Sequence, residues 1–134
     1  MSISLTAEPT HKEILASGGT YEVTLANTGA ERLAFKVKCN NNSFYTFKPV
    51  TGIIGVGQTR KLEVIRSYGS VSFDKVAINY LPAPIGVYDP LEPFKDPNAQ
   101  PEVVNVLLSA LEKVIEAPTP SEVANQNSYV PTFR

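Results

Sequence analysis

The chain has 134 residues, 43% of them hydrophobic and 19% charged, which suits one domain built around a single core and excludes a disordered or coiled-coil chain. Its 12 basic residues stand against 13 acidic ones, so the broad basic surface that displaces counterions from nucleic acid is lacking, and an anionic membrane finds equally little to attract. One cysteine, Cys39, excludes an intramolecular disulfide, and with one histidine, His11, it excludes a zinc site of the usual Cys/His kind.

In chain order, Met1-Ser2-Ile3-Ser4-Leu5 has neither the basic start nor the apolar stretch of a signal peptide, and no run approaches the length of a membrane span. A cytoplasmic protein without membrane insertion is expected. His11 follows Pro9-Thr10, a turn-like setting that reads as solvated, and a serine triad would depend on it alone. The acidic residues form no spacing that singles out a catalytic pair, which leaves carboxylate-pair chemistry open without a candidate, and no cofactor is expected.

Residues 3–81 read as short strands separated by turns. Tyr21, Val23 and Leu25 alternate with Glu22 and Thr24, and Asn27-Thr28-Gly29 ends that run with turn residues. Leu33, Phe35, Val37 and Cys39 follow as an inward set, with Lys36 and Lys38 outward. This parity makes Cys39 a buried hydrophobe before a reactive thiol. Tyr45 and Phe47 alternate with Thr46 and Lys48 until Pro49 breaks the run, and one X–Pro bond of the domain is expected in cis. Gly52, Gly55 and Gly57 are not followed by the Gly-Lys-Ser/Thr of a phosphate loop and read as turn glycines. Leu62 and Val64 alternate with Lys61 and Glu63, as Val76, Ile78 and Tyr80 do with Lys75 and Asn79. Period two with one apolar face, in units of roughly ten residues, predicts an antiparallel all-β sandwich.

Six prolines between residues 82 and 101 deny that segment a central strand or helix and predict an extended surface connection. Residues 102–117 fit two periods. Val104, Leu107, Leu108, Leu111, Val114 and Ile115 make a helical stripe, while Val104, Val106, Leu108 and Ala110 alternate with Asn105 and Ser109 as a strand would. From Pro118 onward the composition predicts a flexible polar tail, ending in Tyr129-Val130-Pro131-Thr132-Phe133-Arg134, whose aromatics are either simply exposed or dock on a partner's sheet edge.

The stretch Gly18-Gly19-Thr20-Tyr21, Leu25-Ala26-Asn27, Arg32 to Lys38, Asn40-Asn41-Asn42, Tyr45, Pro49, Gly52-Ile53-Ile54, Gly57-Gln58, Val64-Ile65-Arg66 and Asp74 to Tyr80 resembles the major sperm protein (MSP) domain over most of residues 4–81. It is most similar to the small nematode sperm-specific members, without the C-terminal coiled coil or anchor of the membrane-bound type. The resemblance implies a seven-stranded immunoglobulin-like sandwich without a disulfide, spanning residues 1–110. The Pro-rich connection is 82–101, the last strand is 102–110, and 111–134 is a mostly flexible extension with a short helix considered at 111–117. An omitted last strand would bare its neighbours' backbone groups, which favours strand over helix.

The resemblance further implies no catalysis and a cytoskeletal role in sperm: binding MSP filaments or other sperm cytoskeletal proteins and tuning filament assembly or bundling in amoeboid motility, with weak self-association. The alternative it carries is an adaptor for short acidic peptides containing phenylalanine. In relatives with that activity a Lys followed by two Thr, and a Lys two residues before a Met, line the peptide site. The matching positions here are Lys38 with Cys39-Asn40, and Lys75 with Ala77, so both lysines are kept and the hydroxyls and the methionine are not. Lys36, Lys38, Asn40, Lys75 and Ala77 are therefore the expected protein-binding residues, against a plainer reading of the lysines as the solvated face of a sheet. A small-molecule carrier finds no support in the side-chain sizes.

Overall fold

Alternation of apolar and polar side chains governs which way each strand faces, and the computed structural model, which describes residues 2–113, follows it closely. The strands are β1 (Leu5–Glu8), β2 (His11–Leu15), β3 (Gly19–Asn27), β4 (Leu33–Cys39), β5 (Tyr45–Lys48), β6 (Thr51–Ile54), β7 (Thr59–Arg66), β8 (Ser72–Pro82) and β9 (Glu102–Leu111). They form a four-stranded sheet in the order β1-β3-β7-β5 and a five-stranded sheet in the order β2-β9-β8-β4-β6. Every pairing is antiparallel except β2 with β9. The inward residues of both sheets, among them Leu25, Phe35, Leu62, Ile78 and Leu108, are fully buried between the layers. Each such side chain stabilises the fold by roughly 1.5–3 kcal/mol.

Nine segments stand where the family resemblance implies seven strands. The difference lies at two prolines. The chain leaves the four-stranded sheet after β1 and enters the five-stranded one as β2 across the cis Glu8–Pro9 bond, and does the same from β5 to β6 across the cis Lys48–Pro49 bond. Proline has no amide hydrogen to donate to a ladder, so both breaks fall on edge strands, where none is required. Gly52 is needed for close approach: it pairs with Phe35, and a Cβ there would sit 2.6 Å from the ring.

Residues 102–111 are a strand, the choice favoured over helix, paired with β8 on one side and β2 on the other. It ends one residue later than expected. The Pro-rich connection departs from a purely extended path: Pro82 is the last residue of β8, and Pro93 opens a short 3₁₀ helix, Glu92–Lys95. Arg32 fastens this connection. Its Nη1 donates to the carbonyls of Ala83, Pro84 and Val87 at 3.3, 3.1 and 2.6 Å, and its guanidinium stacks over the Tyr88 ring. The connection lies against Leu81, and Leu81 and its cross-strand partner Ala34 are buried although both point outward from the five-stranded sheet. Only the other half of that outer face is left open. The expected tail and the helix at 111–117 lie, from residue 114, outside the described residues.

At the far end of the sandwich the buried Arg66 ties three segments together. It donates to the Tyr45 hydroxyl at 3.1 Å, the Ser72 hydroxyl at 3.0 Å, and the carbonyls of Ser70 and Ser67 at 2.6 and 3.0 Å, while packing over the rings of Phe44 and Tyr45. Ser72 Oγ lies 2.6 Å from Asp74, which supplies the compensating negative charge through one hydroxyl. A buried guanidinium is tolerated only when its donors are satisfied in this way.

Candidate protein-binding face

The five expected site residues fall together on the open half of the outer face of the five-stranded sheet. Lys38 pairs with Ala77 across β4 and β8, and Lys36 pairs with Asn79 one step along. Asn40 continues the register beyond β4: its amide donates to the Lys75 carbonyl at 3.4 Å, and its Oδ1 accepts the Lys75 amide at 3.0 Å. Lys38 and Lys75 are exposed, and Lys36 and Ala77 are half-buried. Asn40 thus acts on the backbone that carries Lys75, and its carbonyl oxygen is engaged within the fold.

The face is net cationic: Lys36, Lys38 and Lys75 stand on it with one outward carboxylate, Glu13, which pairs with Ser109 at the β2 edge. Among the described residues the ion pairs are Lys61 with Glu22 and Lys95 with Glu92, and Lys36, Lys38 and Lys75 take part in neither. Beside the lysines runs an apolar strip that sequence reasoning missed. Phe73 is 72% exposed, Leu107 50% and Val103 47%. Leu107 lies directly across from Lys75, and Phe73 across from Ser109. Together with His11, Asn40 and Asp74, whose carboxylate is engaged by Ser72 and Asn41, these side chains line a shallow groove. The available signal was an apolar residue on the outward parity of a strand: Phe73 keeps step with Lys75 and Ala77, and Leu107 with Asn105 and Ser109.

His11 stands on β2, not beside a free turn, and is exposed; its Nε2 lies 2.9 Å from Ser109 Oγ, across the β2–β9 pair. Among the described residues no carboxylate hydrogen-bonds the ring, so the pair lacks the third group of a triad. Cys39 is half-buried on the inward side, and burial pushes its thiol above the usual range, which favours the protonated form at neutral pH. No group of His, Cys, Asp and Glu able to hold a metal ion occurs among the described residues. The arrangement offers positive charge beside apolar contact area on one sheet face, the chemistry that complements an extended segment carrying carboxylates and apolar side chains.

Two packed sheets joined in this order define an all-β sandwich of the immunoglobulin-like class. The sequence matches the MSP (major sperm protein) domain over residues 4–102. It is 38% identical over 104 residues to sperm-specific class P protein 32 of Caenorhabditis elegans, covering 78% of this chain and 96% of that protein. Among solved structures it resembles WR4, an MSP family member of C. elegans, with a TM-score of 0.75 and 34% identity over 80% of this chain and 97% of that one. It also resembles SSP-19, an MSP-domain-like protein of the same organism, with a TM-score of 0.73 and 29% identity over 78% and 97% of the two chains. The chain belongs to the major sperm protein domain family, and its relatives are nematode sperm-specific proteins. Among the described residues no helix is long and apolar enough to cross a membrane.

Proposed function

We propose that the protein is a non-enzymatic component of the nematode sperm cytoplasm that binds MSP filaments, or other sperm cytoskeletal proteins, and tunes filament assembly or bundling during amoeboid movement. The observation that carries the assignment of a surface is the trio Lys36, Lys38 and Lys75, without carboxylate partners among the described residues and flanked by exposed Phe73 and Leu107. In this reading Lys38 and Lys75 make the charged contacts, Lys36 extends them, Ala77 is the flat floor between strands, and Asn40 holds Lys75 in place. Family membership supports the class of partner. Weak self-association through the same kind of contact belongs to the reading.

Co-sedimentation with growing MSP filaments, with growth rate recorded in parallel, tests it. Enrichment in the pellet with an altered rate is expected. A protein that stays in the supernatant and leaves the rate unchanged overturns the reading. One observation favours a second use of the same face. The groove between Lys75 and Leu107 suits an aromatic side chain next to carboxylates, as in a short acidic phenylalanine-containing peptide. Cys39, Asn40 and Ala77, standing where peptide-binding relatives have two threonines and a methionine, remove two hydroxyls and a flexible apolar contact, so that affinity is weak. Titration with such a peptide distinguishes the two uses.

A further inference from the structure

The outer face of the five-stranded sheet leaves apolar area bare beside the point where the chain departs from it. Leu107, Ser109 and Leu111 are successive outward positions of β9, and after Leu111 the sequence continues to Arg134. Residues 112–134 reach at most roughly 75 Å at about 3.3 Å per residue. The crossing from β9 over β8 to β4 is only roughly 10 Å, at about 4.8 Å per strand. Composition matches the surface. Between Val114 and Phe133 the only charged residues are Glu116 and Glu122, with no Lys, Arg or His, while the face presents Lys36, Lys38 and Lys75. The segment also brings Val114, Ile115, Tyr129, Val130 and Phe133, apolar partners for Phe73, Leu107 and Val103.

We propose that residues 114–133 dock in cis on this face, their carboxylates toward Lys38 and Lys75 and their aromatic residues toward Phe73 and Leu107. Tethering gives such a contact a millimolar effective concentration, so that weak chemistry suffices, and closing a loop of this length costs little more than closing a short one. The docking rests on the face and the segment alone. Its consequence, that a partner must displace the chain's own C-terminal segment, rests on the proposed function of the face.

The test uses the full chain with a nitroxide label on Ser128→Cys in a Cys39→Ala background. The amide resonances of Phe73, Lys75 and Leu107 are expected to lose about half their intensity or more, while those of Thr24 and Lys61 on the opposite sheet keep theirs. Adding Glu116→Lys and Glu122→Lys is expected to restore the lost intensity. Absence of selective broadening overturns the proposal. So does broadening that disappears when unlabelled chain is added in excess, which would place the segment on a second copy. If the Cys39→Ala background fails to fold, the amide shifts of Phe73, Lys75 and Leu107 in the otherwise unaltered chain are compared with those of Glu116→Lys/Glu122→Lys, and identical shifts overturn the proposal. None of these readouts involves a filament, so failure here leaves the filament reading standing, and failure of co-sedimentation leaves the docking standing.

Discussion

The two outer faces of this sandwich share one core and differ in almost everything else. On the four-stranded sheet, Glu22 pairs with Glu63 and lies 3.7 Å from Lys61, Lys48 pairs with Glu63, and threonines fill much of the remainder. None of the exposed large hydrophobic residues lies on β1, β3, β5 or β7. On the five-stranded sheet the lysines lack carboxylate neighbours among the described ion pairs, and Phe73, Val103 and Leu107 stand bare. A surface of mixed charge with little exposed apolar area offers a partner less than a cationic face with bare apolar side chains. The Pro-rich connection sharpens the contrast. It covers the Ala34–Leu81 end of the second face and leaves the lysine end open.

The largest expected effect comes from the core that both faces share. Ile78 is fully buried and neighbours Ala77, which points the opposite way on the same strand. Ile78→Ala is expected to lower unfolding free energy by about 3 kcal/mol. Ala77→Ser is expected to change it by about 0.5 kcal/mol or less. Urea denaturation of both variants measures the pair. Equal losses would mean that β8 is in a different register and that the face has been assigned to the wrong residues.

Much of this was legible in the sequence, for a physical reason that also marks where legibility stops. Alternation fixes facing, so β3, β4, β7 and β8 and the outward placement of Lys36, Lys38 and Lys75 follow from it. Residues 102–111 satisfied two periods because apolar residues sit on both parities of β9, Val106 and Leu108 inward, Val103 and Leu107 outward. The ambiguity and the missed apolar strip are the same fact: Leu107 fits a helical stripe because it is apolar where a solvated strand would be polar. Sheet switching at Pro9 resembles an ordinary turn, since a proline that breaks a strand gives no sign of where the next segment pairs. Ala34 and Leu81 are buried on the outward side only because a distant segment lies over them, and Asn40 acts on backbone, which no side-chain pattern reveals.

Second in size is the difference between faces in binding. Lys38→Glu/Lys75→Glu is expected to weaken filament association at least tenfold, about 1.4 kcal/mol, and wild-type binding is expected to decline with added salt. Lys48→Glu/Lys61→Glu, an equal change of charge on the other face, is expected to alter it by less than about twofold, within the range of rim charges. Co-sedimentation of the two double variants at matched salt decides the matter. Equal weakening would mean that overall charge acts and that the faces are equivalent.

Smaller and more gradual is an effect of alkaline pH on the shared interior. Burial is the leading cause that raises the ionisation of Tyr45, Tyr80 and the Cys39 thiol above their ordinary ranges, more than offsetting the hydrogen bond from Arg66 in the case of Tyr45. As pH rises past the ordinary range, the unfolded chain gives up protons that the folded chain still holds. Their contribution is therefore intact below about pH 8 and declines as pH climbs through the raised values. Denaturation midpoints between about pH 7 and 11 should fall at the alkaline end, and Tyr80→Phe should flatten that fall.

The smallest expected effect tests whether the four-stranded face is inert. The Lys61–Glu22 pair spans 3.7 Å with side chains 72% and 60% exposed. An exposed pair gains little from its attraction, since water screens it and two long side chains must be held still, so Lys61→Ala is expected to cost about 0.5 kcal/mol or less. Lys61 also stands directly across from Thr24 and diagonal to Glu22, where Glu63 pairs with Glu22 and Lys48 with Glu63. Removing Lys61 leaves two carboxylates facing each other with only Lys48 nearby, a like-charge opposition that destabilises a sheet. The two contributions separate by double-mutant cycle: Lys61→Ala in a Glu22→Gln background should be neutral in urea denaturation. A cost that persists there would come from the packing of the lysine stem on the sheet, and the charge balance of this face would then be incidental to its stability.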